Sequence, residues 1–173
     1  MQAQTSENWV EKYLQDHFVK FKYLRHSPKF TSQEVAEAEH MTGHRVAKVI
    51  VGMANSTPCL MVLPASYMVD IELARKSTGI SDLRLASEYE IKEYFPDCQV
   101  GAVPPLQKWQ GVKVYMDPAM RHPGNFIFQA ASHSDAILMG FTDWYEIVNP
   151  IELDFAHIEN TEDTEEPNAQ MNQ

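Results

Sequence analysis

A single mixed α+β domain is what this sequence predicts, on three observations. The chain of 173 residues is long enough for one sizeable core and too short for two ordinary ones. After a first helix its periodicities run β-α-β-β-α-α-β-β-β-β-α, with strands grouped in a way that a doubly wound parallel sheet does not show. The longest apolar stretches, "VAKVIVGMA" and "CLMVLPA", are the length of strands rather than of membrane spans.

Each element follows from its residues. Trp9, Val10, Tyr13, Leu14 and Phe18 recur at helical spacing and predict a short amphipathic helix over residues 1–19. "KFKYLRH" alternates like a strand until Pro28. Thr31 and Glu34 form a capping-box pattern ahead of a second helix that Gly43 ends. Residues 46–51 and "CLMVLPA", joined around "MANSTP", read as a hairpin. "VDIELARKSTG" is a helix closed by Gly79. "LASEYEIKEYF" is another, with Ser87 as N-cap and Glu90 three residues on. Beyond Pro96 come short strands and turns, "CQVGAVPPL", "VKVYMD", "NFIFQAAS" and "DAILMGF", and a final helix, "TDWYEIV". The segment 153–173 is acidic and poor in apolar residues, the composition of a disordered tail.

The net charge of −10 is concentrated at one end. Residues 151–173 hold seven acidic groups and no Lys or Arg, whereas residues 1–150 carry 17 acidic and 14 basic groups, a net of −3. Lys12, Lys20, Lys22, Arg25 and Lys29 are opposed over their span by Asp16 alone. Whole-chain acidity argues against broad duplex binding, and no DNA partner is expected. It leaves room for a local basic surface that meets a polyanion. The polar start lacks the basic and apolar regions of a secretory signal. Cys59 and Cys98 form neither a Cys-x-x-Cys pair nor a disulfide framework. A reducing cytoplasm is the expected compartment, with no membrane partner.

Lys48 is the residue that asks for an explanation. In an extended chain Val46, Lys48 and Ile50 share one face and Ala47, Val49 and Val51 the other. Both faces are apolar except at the ammonium group. A strand lysine ordinarily faces water or guards an edge; held in a cleft, it would suit an anionic or carbonyl-bearing ligand. His40 and His44 have the spacing of paired metal ligands on a helix, but Gly43 lies between them and no third ligand follows. No metal or cofactor is expected. Ser132-His133-Ser134-Asp135 cannot form a triad among its own members, because adjacent residues in a strand point opposite ways. "GAVPP" matches neither a phosphate loop nor a dinucleotide fingerprint.

Taken together, "HSPKFTSQEVAEAEHMTGHRVAKVIVG", "MVLPA", "DLRLASEYEIKEYFPDCQVGAVPPL", "VKVYMD" and "HSDAILMGFTDWYEIVNP" resemble, in order and spacing, the YbaK/prolyl-tRNA synthetase-associated domain family. The resemblance spans residues 20–152 and leaves the first helix and the tail outside. It implies a barrel-like mixed sheet flanked by helices, and hydrolysis of the ester joining a wrong amino acid to the terminal adenosine of tRNA. It matches Lys48 to the family's required lysine, His26 to an early histidine, and the loop Gly101, Ala102, Val103, Pro104 and Pro105 to the one that faces the aminoacyl group. The segment with Ala131, Ser132 and His133 falls where the family's backbone approaches substrate, and His133 is expected in the pocket wall. This chain departs from the family in having Ala130 and Ala131 where glycines are usual; a methyl at each position narrows or reshapes the pocket.

The expected partners are an aminoacyl-tRNA acceptor end, with Lys20, Lys22, Arg25 and Arg45 as phosphate contacts, and, as a second partner the resemblance allows, an aminoacyl-tRNA synthetase. The competing expectation is a non-catalytic module of the same fold that grips a tRNA end or a synthetase.

Overall fold

The computed structural model describes residues 8–25 and 45–158. The second helix expected after Thr31, together with His26, His40 and His44, lies outside the described residues. Four helices are present among those described: α1 (Trp9–Asp16), α2 (Ile71–Thr78), α3 (Glu88–Tyr94) and α4 (Phe141–Val148). The strands are β1 (Phe21–Arg25), β2 (Ala47–Ala54), β3 (Thr57–Pro64), β4 (Tyr67–Val69), β5 (Arg84–Leu85), β6 (Lys113–Met116), β7 (Asn125–Gln129), β8 (Asp135–Gly140), β9 (Ile151–Glu152) and β10 (Ala156–Ile158).

The strands make three sheets, ordered β5-β2-β3-β6-β9, β1-β8-β7 and β10-β4. The first is mixed, because β3 pairs parallel to β6 and β6 parallel to β9, while β2 is antiparallel to β3 and β5. The second is wholly antiparallel. A parallel bridge between Val46 and Ile127 joins the two larger sheets. The sheets curve without closing into one barrel, so the mixed α+β class holds.

Local rules written in the sequence set several boundaries. Asp70 caps α2 by accepting from the Leu73 N–H, and Gly79, at φ 72°, ends it. Ser87 and Glu90 form the reciprocal capping box that starts α3. Asn55 and Ser56, both at positive φ, turn the β2–β3 hairpin.

The two faces of β2 serve two hydrophobic clusters. Ala47 and Val51 join the larger one, with Val10, Leu14, Phe128 and Trp144. Ile50 packs on the smaller one, with Met61, Leu63 and Phe155. The apolar alternation on both sides of Lys48 thus reflects a strand sandwiched between two packed layers.

Order extends past Glu152. Phe155 is 1% exposed and β10 pairs antiparallel with β4, so residues 153–158 belong to the folded body; the rest of the expected tail lies outside the described residues. Buried Asp117 ties this segment down, accepting from the Phe155 and Ala156 N–H groups at 2.9 Å each and from Ala119 N–H at 2.9 Å. The expected strand "CQVGAVPPL" is instead a loop, because its backbone bonds go to a turn rather than to a strand ladder. No helix among the described residues is long and apolar enough to cross a membrane.

Candidate active site

Lys48 stands near the start of β2, where the two larger sheets meet. The parallel bridge from Val46 to Ile127 puts Lys48 level with Gln129, two residues farther along each strand. Over Ala47–Ile50 the edge of β2 away from β3 lacks β5, which pairs only with Gly52 and Met53. A small cavity of about 60 Å³ opens there, lined by Ala47, Lys48, Val49, Gly101, Val103, Phe128 and Gln129. Lys48 is half-buried. Lys48 therefore lines a recess together with two members of the proline-containing loop.

That loop is held from both ends. Ala102 to Leu106 are all buried. At its far end the indole N–H of Trp144 in α4 donates to the Pro105 carbonyl at 2.7 Å. At its near end four hydrogen bonds sew residues 99–102 to the β7–β8 turn. Gln99 N–H donates to Ala131 O at 2.8 Å and Ala131 N–H to Ala102 O at 2.9 Å. His133 N–H donates to Gln99 Oε1 at 2.8 Å, and His133 Nε2 lies 2.7 Å from the Val100 carbonyl. Since a carbonyl can only accept, that ring nitrogen carries the proton.

His133 is thus a strut of the loop, and it does not line the cavity. A Cβ built on Gly101 would come 3.3 Å from His133 Cε1, and Gly101 has φ 85°. Both facts require glycine at this position. Ala131 is buried with φ 67°, the left-handed geometry that a glycine adopts without strain. Alanine keeps the backbone conformation there, and its methyl lines a second, larger recess of about 330 Å³ with Asn8, Trp9, Tyr23, Arg25, Asp97 and Asp135.

Ser132 also faces away from the cavity, its hydroxyl donating to Asp135 Oδ2 at 2.5 Å. Asp135 accepts a further hydrogen bond from the Tyr23 hydroxyl and pairs with Arg25 at 3.5 Å. Burial pushes the Asp135 carboxyl up, but the hydrogen bonds from Ser132 and Tyr23 and the charge of Arg25 outweigh it, and its pKa falls below 3.8. Sequence reasoning missed Asp135 and Tyr23 as site residues, because their contact spans 112 positions. The first helix was expected, but its contacts with the segments around the site were not. Asn8 caps α1 through Val10 N–H and donates to Ala130 O at 2.9 Å, while Trp9 Nε1 donates to Asp97 O at 3.0 Å.

The four cations expected at phosphates fall along one sheet without converging. Arg25 pairs across from Asp135, at the end of the sheet where Lys48 lies. Lys20 precedes the Phe21–Met139 pair at the opposite end, and Arg45 lies near Gly124 there. Lys22 sits between them, opposite Leu138.

A lysine and a glycine-proline loop lining one small cavity, in a mixed α+β domain, are the features that the fold brings together here. Residues 26–145 match the aminoacyl-tRNA editing domain, and the chain belongs to that family. No curated protein matches the chain. Among solved structures, hypothetical protein APE2540 superposes with a TM-score of 0.77 at 17% identity, covering 86% of this chain and 99% of that one. A "putative trans-editing enzyme for prolyl tRNA synthetase" superposes at 0.74 with 18% identity, covering 87% and 95%. At these identities the likeness is one of fold.

Proposed function

We propose that this protein hydrolyses the ester between an amino acid and the terminal adenosine of mischarged tRNA, with Lys48 as the residue that meets the reacting group. The observation that carries this is the shared recess of Lys48, Gly101 and Val103 in a member of an aminoacyl-tRNA editing family. Water attacks the ester carbonyl, and the carbonyl oxygen gains negative charge in a tetrahedral intermediate. The bond to the ribose oxygen then breaks, and that oxygen takes the proton, leaving free amino acid and uncharged tRNA. A fixed cation beside the developing charge lowers the barrier, and a single donor of this kind commonly contributes ~10²–10³ in rate.

The nucleophile is water, assisted by a ribose hydroxyl of the substrate. Burial pushes the Cys59 thiol up to about 11 and the Cys98 thiol up to about 12, so neither supplies a thiolate near neutral pH. The Ser132 hydroxyl donates its hydrogen bond to Asp135 Oδ2, in an arrangement without an imidazole relay. The cavity of about 60 Å³ suits a small side chain, and its walls at Val103 and Phe128 set the upper limit. Such an activity has a physical rationale, because one methylene discriminates by only ~1–3 kcal/mol and a synthetase needs a second, hydrolytic sieve.

Lys20, Lys22, Arg25 and Arg45 are proposed phosphate contacts, so affinity for the acceptor end should fall as salt rises. A prolyl-tRNA synthetase is the proposed second partner, on the fold shared with the trans-editing neighbour. The test is a panel of Ala-, Cys-, Ser- and Pro-charged tRNAs. Catalytic acceleration on one or more small amino acids supports the proposal. Protection of every ester from spontaneous hydrolysis would instead identify a binding module.

A further inference from the structure

We infer that Asp135 is a positioning residue for the Lys48 cavity, acting through the β7–β8 turn to hold Gly101 and Val103 at the width that selects the amino acid. The inference rests on the deacylase reading for its kinetic consequence and on geometry for its mechanism.

The carboxylate is the hub of the turn. It receives the Ser132 hydroxyl at 2.5 Å and the Tyr23 hydroxyl, while its own backbone carbonyl accepts from Ala130 N–H at 2.8 Å. Ser132 Oγ in turn accepts from Ser134 N–H at 3.1 Å. His133 is therefore flanked by Ser132, bonded to the carboxylate, and by Ser134, bonded to Ser132. His133 then carries the constraint across to the loop, through Gln99 and Val100, and Gly101 follows directly in sequence. Tyr23 anchors the hub to β1, whose register with β8 places Arg25 opposite Asp135 and Tyr23 opposite Ile137. The side chain of Asp135 is 15% exposed, well suited to rigid hydrogen bonding and poorly placed to serve as a general surface charge.

Asparagine preserves this hub. Its oxygen accepts one hydroxyl and its amide donates to the other, because each hydroxyl can reverse its role. Alanine removes both bonds and lets the turn, His133 and the near end of the loop relax together. A 1 Å loosening of a shaped wall is enough to erode discrimination between side chains.

The experiment compares Asp135→Ala, Asp135→Asn and the full-length parent by two readouts. The first is the ratio of kcat/KM for alanyl- and prolyl-tRNA. Asp135→Ala should lower that ratio by about tenfold or more, against the ~10–200-fold that each methylene of fit can supply, prolyl carrying two carbons more than alanyl, while Asp135→Asn stays within about threefold of the parent. The second is the proton-detected NMR signal of His133 Nε2–H, protected by its bond to Val100 in the parent and in Asp135→Asn, and lost to solvent exchange in Asp135→Ala. An unchanged ratio together with an unchanged signal in Asp135→Ala would overturn the inference. Should the alanine variant not fold, Tyr23→Phe and Ser132→Ala each remove one arm of the hub, and unaltered His133 protection in both overturns it equally. If the parent hydrolyses no ester, the deacylase reading fails while the His133 signal still decides the positioning claim.

Discussion

Replacing Gly101 by alanine tests how the loop shapes the cavity. At φ 85° a non-glycine residue carries a left-handed penalty of ~1–2 kcal/mol. The new Cβ would lie 3.3 Å from His133 Cε1, closer than the imidazole tolerates without moving. Shifting that ring weakens its 2.7 Å bond to the Val100 carbonyl, a further ~0.5–1.5 kcal/mol. The sum is ~1.5–3.5 kcal/mol, which at ~2–4 °C per kcal/mol for a chain of this size lowers Tm by ~3–14 °C. Thermal unfolding followed by circular dichroism measures the first effect. Deacylation of alanyl-tRNA measures the second, expected to fall by at least ~10-fold because the cavity wall moves with the ring. A variant with the parent's Tm and the parent's rate would refute the claim that His133 and Gly101 are packed as a unit.

Other expectations follow from single residues. Ala131→Gly relieves a left-handed alanine at φ 67°, a penalty of ~1–2 kcal/mol; set against the ~0.5–1 kcal/mol that glycine loses in chain entropy, the net is a gain of ~0–1.5 kcal/mol, read as a Tm higher by up to ~3–6 °C. Cys59 and Cys98, with pKa values of about 11 and about 12, should react with iodoacetamide at pH 8 at least ~100-fold more slowly in the folded protein than in denaturant, where a thiol sits near its ordinary value of ~8.5. Equal reactivity of either thiol in the folded and denatured protein would contradict its placement. Burial raises the Asp135 carboxyl, but hydrogen bonds from Ser132 and Tyr23 and the charge of Arg25 outweigh it and hold the group below its ordinary range, so the native state binds fewer protons there than the unfolded chain. Its stabilisation is complete above the unfolded value and is lost as pH falls through the folded one. The Tm difference between the parent and Asp135→Asn should hold steady at neutral pH and close below about pH 4; a gap that widens on acidification would reverse the sign.

Much of the scaffold was legible because local chemistry dictates it. Ser87 with Glu90, Gly79 after α2, and the alternation through Lys48 each announce their element within a few residues. The stretch "CQVGAVPPL" reads among the strands because Ala102–Leu106 are buried as strand residues are. Its two prolines, however, lack N–H groups for a ladder, and its hydrogen bonds reach back to Ala131. Phe155 and β10 were hidden by the acidic composition that follows them, since an average over 21 residues conceals one fully buried ring. The left-handed alanine left no trace at all: its conformation comes from two hydrogen bonds to a loop about thirty positions away. The pairing of Tyr23 with Asp135 is likewise a product of register between β1 and β8, which no short motif encodes.

Side by side, Lys48→Met and the parent on alanyl-tRNA, under single-turnover conditions with folding checked by circular dichroism, put the cationic recess to the most direct trial. Methionine keeps most of the stem's bulk and removes the charge, so the rate constant should drop by ~10²–10³ with the fold intact. Hydrolysis at the parent's rate would mean that the ammonium group has no part in the chemistry.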